Sequence, residues 1–165
     1  MQIVKAQALD TIFINKEDKE YFKKKKLVKP NIEGINIEIY VEHYFKKSSP
    51  SAYYIIDFRL RDVVIKSCEG LVINGKFEGV WITKNFHDRI ESTNEFISNK
   101  FEGKQVNFDG DKIHYEISCK KNTIIEYKTY DSKGELYMIK TYSKGKLISK
   151  EIFGRNAEFY IQKKR

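Results

Sequence analysis

Two short stretches bring acid–base side chains together: His87-Asp88-Arg89 and Arg59-Leu60-Arg61-Asp62. A general base beside an acid or a cation is the minimum for proton-transfer chemistry, and it also needs a third group and a pocket within hydrogen-bond reach. Both stretches sit where a turn meets a strand end, so the expected role is structural and no catalytic residue is expected. The sequence has no Ser–His–Asp or Cys–His pattern, no phosphate-binding Gly-rich loop and no HxxxH pair. Cys68 and Cys119 are its cysteines, and neither joins a CxxC pair or a Cys/His cluster. No metal and no cofactor are expected, and two buried thiols in a reducing compartment are.

Binding chemistry is better represented. Trp81, Phe108, Tyr115, Tyr127, Tyr130, Tyr137, Tyr142, Phe153 and Tyr160 recur through the second half of the chain among lysines. Three uses fit that pattern. The rings suit the core ladder of one sheet, joined by cross-strand aromatic pairs. They also suit a docking surface for a protein, where Tyr and Trp are favoured anchors. With lysines between them they suit a base-stacking track for nucleic acid. Trp81, Tyr127, Tyr130, Tyr137 and Tyr142, with the run Lys23-Lys24-Lys25-Lys26, form the candidate partner-binding set. The bland reading of the lysine run is a solvated segment.

The charge is +8, from 31 basic and 23 acidic residues. Residues 1–30 hold eight Lys against Asp10, Glu17, Asp18 and Glu20, a net of +4 (8 − 4). The other half of the excess falls largely on Lys163-Lys164-Arg165, so the body of the chain is nearly balanced. Such an excess permits a polyanionic partner and equally serves solubility. A length of 165 residues with 41% hydrophobic and 14% aromatic content fits one ordered domain. The chain opens on no apolar leader and holds no apolar run of membrane-spanning length. A cytoplasmic protein is expected.

These side chains need strands to hold them. Residues 35–45 alternate Ile35, Ile37, Ile39, Val41, His43 and Phe45 with polar residues and tyrosines, the period of a half-buried strand. Residues 53–60 read as a central strand, with Arg61-Asp62 as a tight turn and 62–68 as the strand back. Residues 2–14 suit one or two short strands. Asn15 suits the cap of a short helix running into Tyr21 and Phe22, although the same residues suit a charged hairpin tip.

From residue 70 the chain repeats itself. Asn74-Gly-Lys-Phe-Glu-Gly79 returns as Ser98-Asn-Lys-Phe-Glu-Gly103, 24 residues later (98 − 74). Weaker copies follow at Asp109-Gly110, Ser132-Lys-Gly-Glu-Leu136 and Ser143-Lys-Gly-Lys-Leu147. Fixed-period repeats are supersecondary units that bury their apolar faces only by stacking. Strands are expected at 123–130, 135–142, 146–153 and 157–162, turned at Gly134 and Gly145. Phe77, Gly79, Trp81 and Thr83 share one face, while Glu78, Val80 and Ile82 share the other. The expected fold is all-β: an antiparallel meander of hairpins forming a long twisted sheet. It is one domain, with capping strands over 1–69, repeats over 70–153 and a terminal strand and basic tail over 154–165.

The pattern N-G-K-x-E-G followed by an aromatic strand and G-K-L resembles the MORN-variant repeats of bacterial antitoxin-type proteins. Asn74 to Trp81 and Asn99 to Gly103 carry the likeness; Tyr127 to Tyr130, Ser132 to Leu136 and Tyr142 to Leu147 continue it. It covers about residues 70–153. The chain departs from the pattern at Ser98-Asn99, at Asn122-Thr-Ile-Ile125, which lacks the Glu-Gly step, and at Val80-Trp81-Ile82, which lacks paired tyrosines. The resemblance implies a non-catalytic protein that binds and inhibits a bacterial toxin or effector enzyme. The other expectation, carried by charge and interleaved Lys and Tyr, is a phage- or mobile-element-encoded inhibitor of host defence. That protein would act through RNA or an RNA-guided nuclease, in the manner of an anti-CRISPR.

Overall fold

The structure is a computed structural model and describes residues 9–15, 18, 21–23 and 44–154. The strands are β1 (Thr11–Asn15), β2 (Phe22–Lys23), β3 (Tyr44–Phe45), β4 (Ala52–Leu60), β5 (Val63–Ile73) and β6 (Lys76–Asn85). They continue as β7 (Ile90–Ile97), β8 (Lys100–Asp109), β9 (Lys112–Lys120), β10 (Thr123–Tyr130), β11 (Leu136–Ser143) and β12 (Lys146–Ile152). Ten of them form one open sheet in the order β1-β4-β5-β6-β7-β8-β9-β10-β11-β12, and β2 pairs with β3 apart from it. From β4 onward every spatial neighbour is a sequence neighbour and antiparallel, the expected meander. β1 lies parallel to β4, with Thr11 opposite Tyr53 and Asn15 opposite Asp57.

The described residues contain no helix. Most of the segment after Asn15 lies outside them, but Phe22–Lys23, at the end of the expected helix, is strand paired with Tyr44–Phe45. Asn15 does not cap a helix through its side chain. Its backbone N–H donates to the Asp18 carboxylate at 2.8 Å, and the Asp18 N–H donates back to the Asn15 carbonyl at 3.0 Å. Of the expected strand over 35–45 only the last two residues are described, and the strand expected over 157–162 lies outside the described residues.

Alternation assigns the two faces of the sheet. Ile56, Cys68, Thr83, Ser92, Asn107, Tyr115, Thr129 and Met138 stand opposite one another across neighbouring strands and so share a face. The buried strand side chains fall on this same face, among them Val72, Phe77, Trp81, Phe96, Phe101, Ile117, Cys119, Ile124 and Tyr142. The outward face carries Ile55, Glu69, Ile82, Thr93, Val106, Glu116, Lys128 and Ile139 in one register.

On the core face, Phe45 of β3 covers the sheet and packs on Tyr54, Phe77 and Trp81 at ring separations of 4.5, 5.5 and 6.3 Å. Phe77 meets Trp81 edge-on at 4.7 Å, Phe96 lies 5.3 Å from Phe77, and Phe101 lies 4.6 Å from Phe96. The Trp81 indole lies over Gly70, where any Cβ would collide with the ring. Its Nε1–H donates to the Leu71 carbonyl at 3.1 Å, which satisfies the polar atom of a buried ring.

The repeated motif has a structural explanation. Turns at Asn74-Gly75, Ser98-Asn99, Lys121-Asn122 and Lys144-Gly145 all place two successive residues at positive φ. This is the type I′ hairpin turn, whose second corner takes Gly or Asn. Asn instead of Gly lets the turn hold its neighbour. Asn99 Oδ1 accepts from Phe77 N–H at 2.7 Å, and Asn99 N–H donates to the Phe77 carbonyl at 3.1 Å. Asn122 repeats both bonds with Phe101, at 2.7 and 3.0 Å. Glu78 Oε1 accepts from Ser98 N–H at 2.9 Å, and Glu102 Oε2 accepts from Lys121 N–H at 2.8 Å. Each Asn and each Phe-Glu pair therefore staples one hairpin to the next. Where the chain reads Ile124-Ile125-Glu126 the Phe-Glu-Gly triplet is gone, and among the described residues the Lys144–Gly145 turn makes no such bond to Ile124.

Candidate functional surface

The candidate binding residues divide between interior and surface. Trp81 is 2% exposed and Tyr142 is buried with it, so both belong to the core and neither presents a ring to a partner. Their assignment to the docking set is corrected. Alternation correctly gave Trp81 the face of Phe77, but it does not say which face closes. Tyr127 is half-buried on the core face, 5.9 Å from Tyr115, with Lys140 Nζ 5.9 Å above its ring. Lys140 stands directly opposite Lys150. Burial first, and then that like charge, push the Lys140 ammonium below its ordinary pKa.

Tyr130 lies on the outward face, where its OH reaches Glu116, and Tyr137 falls in the bulge at which Thr129 pairs with Met138 and Tyr130 with Leu136. Tyr130 OH donates to Glu116 Oε2 at 2.8 Å. Glu116 also faces Lys104 Nζ at 3.8 Å and stands opposite Lys128, which pairs with Glu126 at 2.7 Å. Tyr137 is 47% exposed and follows Leu136, the residue that pairs with Tyr130. A second outward pair, Lys84–Glu69 at 2.8 Å, holds the Lys84 ammonium above its ordinary pKa through that hydrogen bond. Lys23 lies in β2, and Lys24, Lys25 and Lys26 lie outside the described residues.

The structure sets the two acid–base stretches at the same end of the sheet. His87 N–H and Arg89 N–H both donate to Asn85 Oδ1, at 2.9 and 3.2 Å, which closes the β6–β7 loop. The His87 ring stacks on Phe86 at 3.8 Å, and Asp88 points toward Lys84 at 3.7 Å. The β10–β11 loop is built the same way: Asp131 Oδ1 accepts from Lys133 and Glu135 N–H at 2.8 and 2.9 Å. The Glu135 bond is the main reason the Asp131 carboxyl lies below its ordinary pKa. Sequence reading missed this matched pair, whose signal is an Asx residue four positions before the loop closes. Among the described residues, no three His, Cys, Asp or Glu side chains gather into a metal-binding group.

Several groups titrate upward together. Burial pushes the Cys68 thiol up to about 11 and the Cys119 thiol up to about 12. Burial also raises Tyr54 to about 12, and it raises Tyr130 to about 12 with help from the Glu116 contact. Each folded pKa lies above its unfolded value, so the stabilisation is complete at low pH and is lost as pH climbs through the folded pKa. Denaturation midpoints should therefore hold steady up to about pH 9 and fall between about pH 9 and 12. Tyr130→Phe should remove part of that fall, as measured by urea titrations across the range.

The fold defines a class: an open ten-stranded sheet of stapled, sequentially stacked hairpins. No protein-family model, no curated protein and no solved structure matches this chain.

Proposed function

We propose that this is a non-catalytic, cytoplasmic inhibitor that binds one protein, a toxin or other effector enzyme, in the manner of immunity and antitoxin proteins. The observation that carries the reading is the outward face around Glu116. Tyr130 is held there by a hydrogen bond, and Tyr137, which follows its strand partner Leu136, is exposed. Val106 and Ile139 share the Glu116 row. A rigid, already ordered patch of aromatic, aliphatic and ion-paired side chains loses little entropy on docking. It also has the composition of an interface centre with a polar rim. The staples between hairpins keep that face in fixed register.

The tagged protein should recover a stoichiometric enzyme and abolish its activity. Tyr137→Ala should weaken that complex by about 30-fold, the loss expected of a hot-spot tyrosine at about 2 kcal/mol. Recovery of no protein partner ends this reading. Affinity that collapses as salt rises, and that is lost when Lys23–Lys26 become alanine, would point to nucleic acid instead.

A further inference from the structure

The ends of the β4–β5 and β6–β7 hairpins lie side by side. Lys66 stands opposite Asn85, and its Nζ is 2.7 Å from Glu91. Leu60 and Val63 face each other across the first turn and are 66% and 64% exposed. Phe86, at the second turn, is 66% exposed, and Ile65 and Ile90 are exposed beside them. Single exposed apolar residues are ordinary, but a group on two adjacent tips is a patch.

The charge here differs from that of the whole chain. The protein carries +8. At this end Arg59, Arg61, Lys66, Lys84 and Arg89 are balanced by Asp57, Asp62, Glu69, Asp88 and Glu91, a sum of zero (5 − 5). Arg59 is held by Asp57 at 3.0 Å. Arg61, Arg89 and Asp62 have no ion-pair partner among the described residues. The cation used is also distinctive. Lysine is the common cation of this chain, yet every arginine among the described residues, Arg59, Arg61 and Arg89, sits at this end. Arginine pairs with carboxylates through two parallel bonds and is enriched in interfaces, whereas lysine is not. Arg61 takes φ +56 at the first corner of its turn, where glycine is the ordinary residue.

We propose that these two hairpin ends form a self-complementary contact between two copies of this chain. Arg61, Arg89 and Asp62, left open side by side on one small patch, make this end complementary to its own copy. A two-fold axis at the tips sets Arg61 and Arg89 of one copy against Asp62 and Asp88 of the other, with the apolar side chains closing between them. Two hairpin ends make a small interface, so the dimer is weak, with Kd in the roughly micromolar range. This contact does not depend on the inhibitor reading, because it needs no other protein.

Sedimentation of the purified chain from roughly 1 μM to 1 mM tests it and should show a monomer–dimer equilibrium. Arg61→Glu with Arg89→Glu should leave only monomer, as should Asp62→Lys with Asp88→Lys, and mixing the two variants should restore a heterodimer. Phe86→Asp should also give monomer, and the emission of buried Trp81 reports whether each variant is folded. A chain that stays monomeric at the highest concentration overturns the proposal. So does a dimer that survives both charge variants, which would point to pairing along an edge strand, or a mixture that fails to associate.

Discussion

Trp81→Ala is expected to destabilise the protein by about 3–5 kcal/mol, the cost of emptying a large aromatic site in a packed core. A domain of this kind has only about 5–15 kcal/mol in total, so one substitution should bring it close to unfolding at physiological temperature. The reasons are local. Trp81 fills the space above Gly70, meets Phe77 edge-on and satisfies the Leu71 carbonyl. Gly70→Ala tests the same contact from the other side. Its new methyl would displace the ring and should cost about 1–3 kcal/mol as overpacking. Guanidinium denaturation followed by circular dichroism measures both. A Trp81→Ala protein as stable as the wild type would mean that the indole does not fill the core.

The second large effect should come from the staples. Asn99→Ala leaves the Phe77 N–H without its acceptor and puts alanine at φ +67. Loss of a partner from a partly buried donor costs about 1–3 kcal/mol, and the left-handed backbone adds roughly 1–2 kcal/mol for a residue with a Cβ. Asn99→Gly separates the two contributions, because glycine accepts the backbone angle and loses only the side-chain bond. It should therefore be the milder change. Asn122 acts on Phe101, a different partner. The double substitution should come close to the sum of the single ones. Urea midpoints of the variants give these differences directly.

Much of the fold was legible in the sequence. The steady spacing of the last strands, turned at Gly134 and Gly145, placed β10 at Thr123–Tyr130, where the structure has it, and β11 and β12 within a residue or so. Local turn chemistry and a period of two suffice when every strand pairs with the next. The partner-binding set was harder to read because burial is set by what packs over a face. Trp81 and Tyr142 are closed in, while Tyr137, on the same strand as Tyr142, is open. Bulges near Thr83, Asn94, Ile124, Thr129 and Thr141 shift the phase between neighbouring strands, so a face cannot be followed across the sheet by counting residues. The matched Asn85 and Asp131 loops share an Asx residue and little else, too little to stand out in one sequence. The motif that resembles a MORN-variant repeat did stand out, and its Asn, Phe and Glu are engaged in joining hairpins.

A chain whose strands pair only with those adjacent in sequence, from β4 through β12, has an unusual mechanical character. Tension applied from the C-terminal side loads one strand boundary at a time, so the molecule should peel like a zip, in a series of small steps at low force. An optical-trap trace would register the length of each released hairpin in turn. The same serial linkage means that adding or deleting one hairpin pair changes the reach of the sheet and leaves the seams elsewhere intact.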